Sequence, residues 1–384
     1  MVRIHHRWVN RHHRAIHQRT QTYFQRLADA LDDARGRDDE MDIAAEVARV
    51  MDELDECKPL QVGPFETPLT YTNCPPDLCL ELTGIPRPTL ATIADHLFPD
   101  ERVPIRGGRA HVPRRDVMLV TMTVLRTPGF RWQLCSKLRR HDDAISRIAR
   151  AGALYLSKKW ASTLSWPRRL VRLRRQEYTD AVRDRFDRTG IQLNCRVGFF
   201  IDCHIRRTCR PIRKQRSLYT KFKKCHGLKC QTLVMPDGIM AASRAFSARV
   251  HDFTLMRKTR ICDRIARDAP GVRAASDGGY HTNGQILRAP PNSPEFAATR
   301  VLVEWVHEDI MKCFPALEFR RFARVLLTIP AAFYAAAVII RNAIVCVSKE
   351  GGQVAKACRL EPPDLDQLFD YRDALPVTAR DCGL

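Results

Sequence analysis

The spacing of apolar and polar residues changes character near residue 190. Before that point, apolar residues recur at helical intervals. Beyond it, short apolar runs alternate with helical stretches. In residues 1–57, Ile43, Val47, Val50, Met51 and Leu54 fall at three- and four-residue steps, which predicts a charged helical N-terminal region. Residues 58–115 interrupt the pattern with "GPFETP", "CPPD" and "PIRGGR", the composition of a linker or extended arm. Helical spacing returns over 116–190. The stretch 131–164 predicts a short helix, a polar break at "RRHD" and a longer helix whose N-cap is Asp142 or Asp143. This pair fits a helix-turn-helix with Ser146, Arg147 and Arg150 near the start of a recognition helix, and fits two ordinary packed helices equally well. A basic helix is expected over 167–178.

The second half predicts an α/β unit over 191–347. "CRVGFFID" (195–202) is the continuous apolar run of a strand buried on both faces. Residues 228–247 predict two strands around a Pro-Asp-Gly turn. An amphipathic helix capped by Asp252 is expected over 252–268, a strand over 271–277, and a helix over 297–314 with Val301, Trp305 and Ile310 on one face. The first three strands suit an antiparallel meander, and the fourth needs a helical crossover to lie beside the first. The apolar stretch 325–347 approaches transmembrane length, but Pro330, Arg341 and Asn342 interrupt it, so a buried core helix is expected and no membrane partner. Residues 348–384 read as a tail.

Charge sharpens this picture. The formal net charge of +21 favours polyanionic partners, nucleic acid before an anionic membrane surface. Aromatic residues make up only 8%, which disfavours a base-stacking single-strand binder. The 14 cysteines include no CxxC pair and are expected to be reduced, intracellular thiols. The first 20 residues lack an apolar signal core, so no secretory leader is expected.

Three acids hold special positions. Asp202 ends the first predicted strand, Asp277 ends the fourth, and Glu304 lies on the following helix. If the two strands are adjacent and parallel, their carboxyl ends bring the aspartates together, where α/β folds place ligands. Converging carboxylates repel one another and suit divalent cations with oxygen preference. Each acid also has a plain structural reading: Asp202 paired with Arg206, Asp277 capping the Gly-Gly turn, Glu304 paired with Arg300 at i, i+4. Between Cys203 and Cys230 lie ten lysines and arginines and no acid, a cationic wall beside the first aspartate.

Taken in order, "FFIDCHIRRTCRP", Gln215, Tyr219, "KKCHGLKCQTLVMPDG", "VHD", "SDGGY", "RVLVEW" and "RNAIVC" resemble the DDE-type transposases of the Harbinger group and their insertion-sequence-5-like relatives, over about 132–347. The resemblance implies an RNase H-like mixed sheet flanked by helices. It implies a nuclease that cuts double-stranded DNA with two Mg2+ or Mn2+ ions held by Asp202, Asp277 and Glu304, and then joins the freed 3′ hydroxyl to target DNA. His251 and Asp252 match the family's His-Asp step, and Glu308 is a further candidate ligand. Arg206, Arg207, Arg210, Lys221, Lys224, His226 and Lys229, with Arg147 and Arg150, are the candidate DNA contacts. Nuclear action, homo-oligomeric assembly on paired ends and a Myb-like DNA-binding partner are also implied. Glu304 follows Asp277 by only 27 residues, which keeps an alternative in view: a host-retained or decayed descendant acting as a nuclease or as a non-catalytic DNA-binding protein.

Overall fold

The computed structural model describes residues 67–105, 110–128, 131–208, 215–276, 279–280, 282–288, 293–318 and 328–377. All of them belong to the second of two units, Phe65–Leu384. The helix expected around residues 43–54 lies outside the described residues.

Residues expected to form an arm fold instead into two helices, α1 (Pro76–Thr83) and α2 (Arg87–Leu97), and a hairpin, β1 (Arg102–Ile105) with β2 (Ala110–Pro113). The prolines that suggested a linker stand at helix starts. Pro75 and Pro86 are N-cap residues, and Pro76 opens α1, where a missing N–H breaks no intrahelical bond. Leu69, Leu82, Leu90, Ile93, Leu97 and Phe98 are buried in the common core.

Helices α3 (Arg114–Arg126), α4 (Arg131–Leu138), α5 (Asp142–Lys159), α6 (Ala161–Ser165) and α7 (Arg168–Arg188) follow. The N-cap of α5 is His141, so Asp142 and Asp143 fall in the first turn, where their charge meets the positive end of the helix dipole. Ile145, Ile148, Ala149, Tyr155 and Leu156 of α5 face inward. Helix α7 runs ten residues beyond its predicted end because Tyr178, Val182 and Phe186 continue the buried stripe.

Among the described residues of the second half, seven strands form a mixed sheet. Strand β3 (Val197–Arg207) runs five residues past Asp202, where the sequence pattern ended it. The short helix α8 (Gln215–Leu218) and β4 (Tyr219–Thr220) lead to β5 (Cys225–Val234), which lies antiparallel to β3 with Asp202 opposite Thr232. Along its other edge β5 pairs in turn with β4, β7 (Phe246–Ser247) and β6 (Met240–Ala242). The predicted single helix over 252–268 is two, α9 (Asp252–Thr259) and α10 (Ile261–Asp268), separated by Arg260 in the left-handed region. They cross over to β8 (Arg273–Ser276), which lies parallel to β3, and β9 (Ile286–Arg288) adds a further parallel strand.

Helices α11 (Pro294–Cys313), α12 (Thr328–Ser348), α13 (Gly352–Cys358) and α14 (Leu365–Leu368) complete the described chain. Leu302, Val306 and Ile310 form the inner stripe of α11, while Val301 and Trp305 stand half-buried at its margin. Ile329–Ser348 is long and apolar enough to cross a membrane, and 72% of its apolar window is buried inside the protein. The expected tail is folded as well: Val354, Cys358 and Phe369 are buried, and the Leu375 N–H donates to the Lys159 carbonyl.

The Pro-Asp-Gly hairpin ties these parts together. Gly238 has φ +83°, and a Cβ there would overlap the Gly351 backbone, so glycine is required. The Asp237 carboxylate is fully buried and accepts hydrogen bonds from the Tyr178 hydroxyl (2.6 Å) and an Arg174 guanidinium nitrogen (2.8 Å). From the other side, Asn342 bonds both backbone groups of Met240 (3.2 and 2.8 Å), and buried Arg341 donates to the Gly238 carbonyl. Asp237→Ala leaves Arg174 without its buried counter-charge, for which a loss of about 3–5 kcal/mol is expected. Urea unfolding of the variant beside wild type checks this, and a loss under ~1 kcal/mol would refute the clamp's importance.

Candidate active site

The register of three elements fixes the geometry of the candidate site. Ser276, at the end of β8, pairs with Ile201, so the described end of β8 stops one residue short of the level of Asp202. Asp277 itself lies outside the described residues. Asp202, His204 and Arg206 alternate along β3 toward α11. The His204 and His307 rings lie 4.5 Å apart, and Met311 meets Arg206, so α11 and β3 advance together. Four helical residues rise about 6 Å and two strand residues about 6.6 Å, so the two elements stay in step. Four residues before His307 on α11 stands buried Val303, and Glu304 is the next residue. Asp202 is half-buried and Glu304 exposed. Among the described residues, no group of three His, Cys, Asp or Glu side chains is gathered closely enough to hold a metal ion.

The supporting groups are buried and linked. One Asp202 carboxylate oxygen accepts the Cys203 N–H at 2.6 Å. The Thr232 hydroxyl donates to the Asp202 carbonyl at 3.1 Å and lies 2.9 Å from His307 Nε2. Because that hydroxyl proton is committed, His307 Nε2 carries the hydrogen and donates to the Thr232 oxygen. Burial, reinforced by the Arg206 charge, pushes the His307 imidazole down to about 3, so it is neutral near pH 7. Burial drives His204 well below its usual range too, and the neighbouring His307 and Arg206 add to the shift.

On a second chain of contacts, the Tyr280 hydroxyl meets the Cys203 sulfur at 3.1 Å and accepts from Gln231 Nε2 at 3.3 Å. Gln231 Oε1 in turn accepts from the Thr259 hydroxyl at 2.6 Å. Tyr280 thus fastens the segment after Asp277 to β3, β5 and α9. The sequence placed Tyr280 and Gln231 inside motifs without giving them roles. His307, three residues after Glu304, had only that spacing as a signal.

The cationic wall divides into inner and outer members. Lys229, expected at a phosphate, is buried and its ammonium lies 2.7 Å from Asp252. Asp252 is correspondingly taken up by this pair, and His251 serves as the N-cap of α9, accepting the Phe253 N–H. Arg206, also expected at DNA, is buried over the Tyr334 ring (5.2 Å) with Glu318 4.0 Å away. Arg207, Lys221, Lys223 and Lys224 are exposed, and His226 is half-buried beside Tyr219. Arg210 lies outside the described residues, as does the side chain of Arg300. Glu308 pairs with Lys312 at 2.9 Å. Arg147 and Arg150 stand exposed on α5. The described cysteines are free thiols.

The buried imidazole makes stability depend on pH. In the unfolded chain His307 titrates near 6.5, whereas folded it titrates at about 3. Between those values only the unfolded chain takes up the proton, so this stabilisation is full above about pH 6.5 and is lost as pH falls. His307→Gln keeps a donor for Thr232 and removes the titration. From about pH 7 to about pH 5 the variant is expected to lose about 2 kcal/mol less stability than wild type in urea melts. Equal losses would show that His307 titrates normally.

Comparison with known proteins adds one finding. No curated protein and no solved structure matches the chain. Residues 201–342, from the residue before Asp202 to Arg341 and Asn342 of the hairpin clamp, match the family described as DDE superfamily endonuclease. The mixed sheet with its many helices is consistent with a DDE nuclease fold, and the match supports a DDE transposase-like family for this segment.

Proposed function

We propose that the chain is a DDE-type transposase of the Harbinger group that cuts DNA phosphodiester bonds at a metal site made by Asp202, Asp277 and Glu304. The observation that carries the reading is the endonuclease-family match beginning at the strand of Asp202, together with the parallel β3–β8 pairing the site requires. The donor chemistry fits. The donor groups are carboxylate oxygens on a half-buried and an exposed residue, while the nearby imidazoles, half-buried His204 and buried His307, are neutral and engaged with one another or with Thr232. Such a set suits two hard cations, Mg2+ or Mn2+, better than zinc. When bound, these ions lower the pKa of the attacking water and stabilise the leaving oxygen.

The chain's own groups supply the rest. The Cys203 N–H aims the Asp202 carboxylate, and Thr232 fixes its backbone from the neighbouring strand. A neutral His307 adds no cation that would compete with the metals for the carboxylates. Arg207, Lys221, Lys223 and Lys224, exposed on the β3–β5 side, hold the phosphate backbone without reading sequence, and His226 borders them. Arg147 and Arg150 on α5 offer contacts farther from the cut. The freed 3′ hydroxyl then attacks target DNA, in a nuclear, multimeric complex assisted by a Myb-like partner.

Nicking of supercoiled plasmid in manganese tests this reading. Wild type is expected to cut, and EDTA to stop it. Asp202→Asn and Glu304→Gln are each expected to slow cutting roughly a thousandfold, the loss of about 4 kcal/mol of transition-state stabilisation. Equal nicking by all three proteins would refute the carboxylate site. Duplex binding by all three with cutting by none would favour a non-catalytic DNA-binding protein.

A further inference from the structure

On the opposite side of β8 from Asp202, one buried carboxylate gathers an excess of arginines. Asp268 closes α10 just before β8 begins, and its side chain is fully buried. It accepts from Arg168 Nε (3.0 Å), Arg172 Nε (2.7 Å), Arg267 Nη2 (2.6 Å) and the Trp166 indole N–H (2.9 Å). Burial alone would raise its pKa, but these four donors together hold the carboxyl well below the usual range.

The charge balance is what needs explanation. One guanidinium would neutralise Asp268, and the indole already satisfies part of its hydrogen-bonding capacity. Three are present, each about half-exposed at 51%, 49% and 53%, so two positive charges remain and face solvent. Arg264 adds another: it donates to the Ser165 carbonyl at 3.0 Å, and burial, with the charges of Arg267 and Arg260, lowers its guanidinium pKa. Arg175 stands exposed one turn beyond Arg172 on α7. Like charges crowded this way repel one another, and an external anion relieves the repulsion. The guanidiniums are also fixed in place before any ligand arrives, which lowers the entropy lost on binding.

We propose that Arg168, Arg172 and Arg267, gathered on Asp268, form a second site for the phosphate backbone of duplex DNA, distinct from the cleavage edge at Asp202. The site takes phosphodiester oxygens through bidentate guanidinium contacts. A ridge contributed by α7 and α10 fits an extended polyanion better than a single small anion. Five strand residues separate Asp202 from Val197, which pairs with Arg273 at the start of β8. That is roughly 17 Å of strand, so DNA here is a different stretch or a different duplex from the one being cut. The proposal rests on the DNA-cutting reading for the identity of its ligand.

The test is duplex affinity of the full chain in EDTA, measured from about 50 to about 200 mM salt. Arg168→Ala/Arg172→Ala leaves Arg267 and Trp166 on Asp268, so the buried carboxylate keeps partners. Lys356→Ala/Arg359→Ala removes the same charge from exposed positions on and just after α13. Thermal melting confirms that both variants are folded. For the arginine variant, the slope of log affinity on log salt is expected to shrink by about 2, with the control close to wild type. Equal slopes for the two variants would overturn the proposal, whether the cluster is purely structural or serves an acidic protein. Plasmid nicking separates this from the preceding reading. Normal nicking with equal slopes sinks only the second site, and absent nicking with the altered slope sinks only the nuclease.

Discussion

Asp202, His204 and Arg206 occupy alternate positions of a strand set in the middle of a sheet, and that placement constrains everything packed against it. A carboxylate, an imidazole and a guanidinium carried under a helix must each find a partner or become neutral. The chain meets the demand in graded fashion. Arg206, deepest along the strand, stacks on Tyr334 of α12 near Glu318. His204 and His307 give up their charge together. Asp202, nearest the carboxyl end of β8, has a half-buried side chain, as His204 has.

The same economy explains why segments far apart in sequence close around the sheet. Asp237 reaches back to α7, Gly238 and Met240 reach forward to α12, and Gly351 packs on the turn itself. A displaced hairpin would shift β5, and with it Thr232, the residue that fixes the Asp202 backbone. Clamp and candidate site are therefore one mechanical unit, although none of the clamp residues bears on the chemistry directly.

Much of this could be read from the chain because the signals were local. The apolar run of β3, the Pro-Asp-Gly turn and the crossover to a parallel fourth strand follow from residue type and period. What escaped was decided by tertiary partners. Prolines 75, 76 and 86 look alike whether they break a chain or begin a helix, and burial of Leu82 and Leu90 decides. Lys229 and Arg206 belong to the same basic run as Lys221 and Lys224, yet strand alternation and the nearby Asp252, Met311 and Tyr334 draw them inward. His307 carries no pattern of its own, and its role appears only when α11 is laid along β3. Arg168 and Arg172 were visible as part of a basic helix, but their anchor, Asp268, lies 100 residues away from Arg168.

The account stands on whether the three carboxylates converge on divalent metal. Calorimetric titration of manganese into the full chain, with Asp202→Ala and Asp277→Asn beside it, addresses that without requiring any DNA sequence to be known. Binding by wild type that both substitutions abolish is the predicted result. Identical titrations for all three proteins would contradict it, and would leave the sheet, the clamp and the basic surfaces as parts of a protein that holds DNA without cutting it.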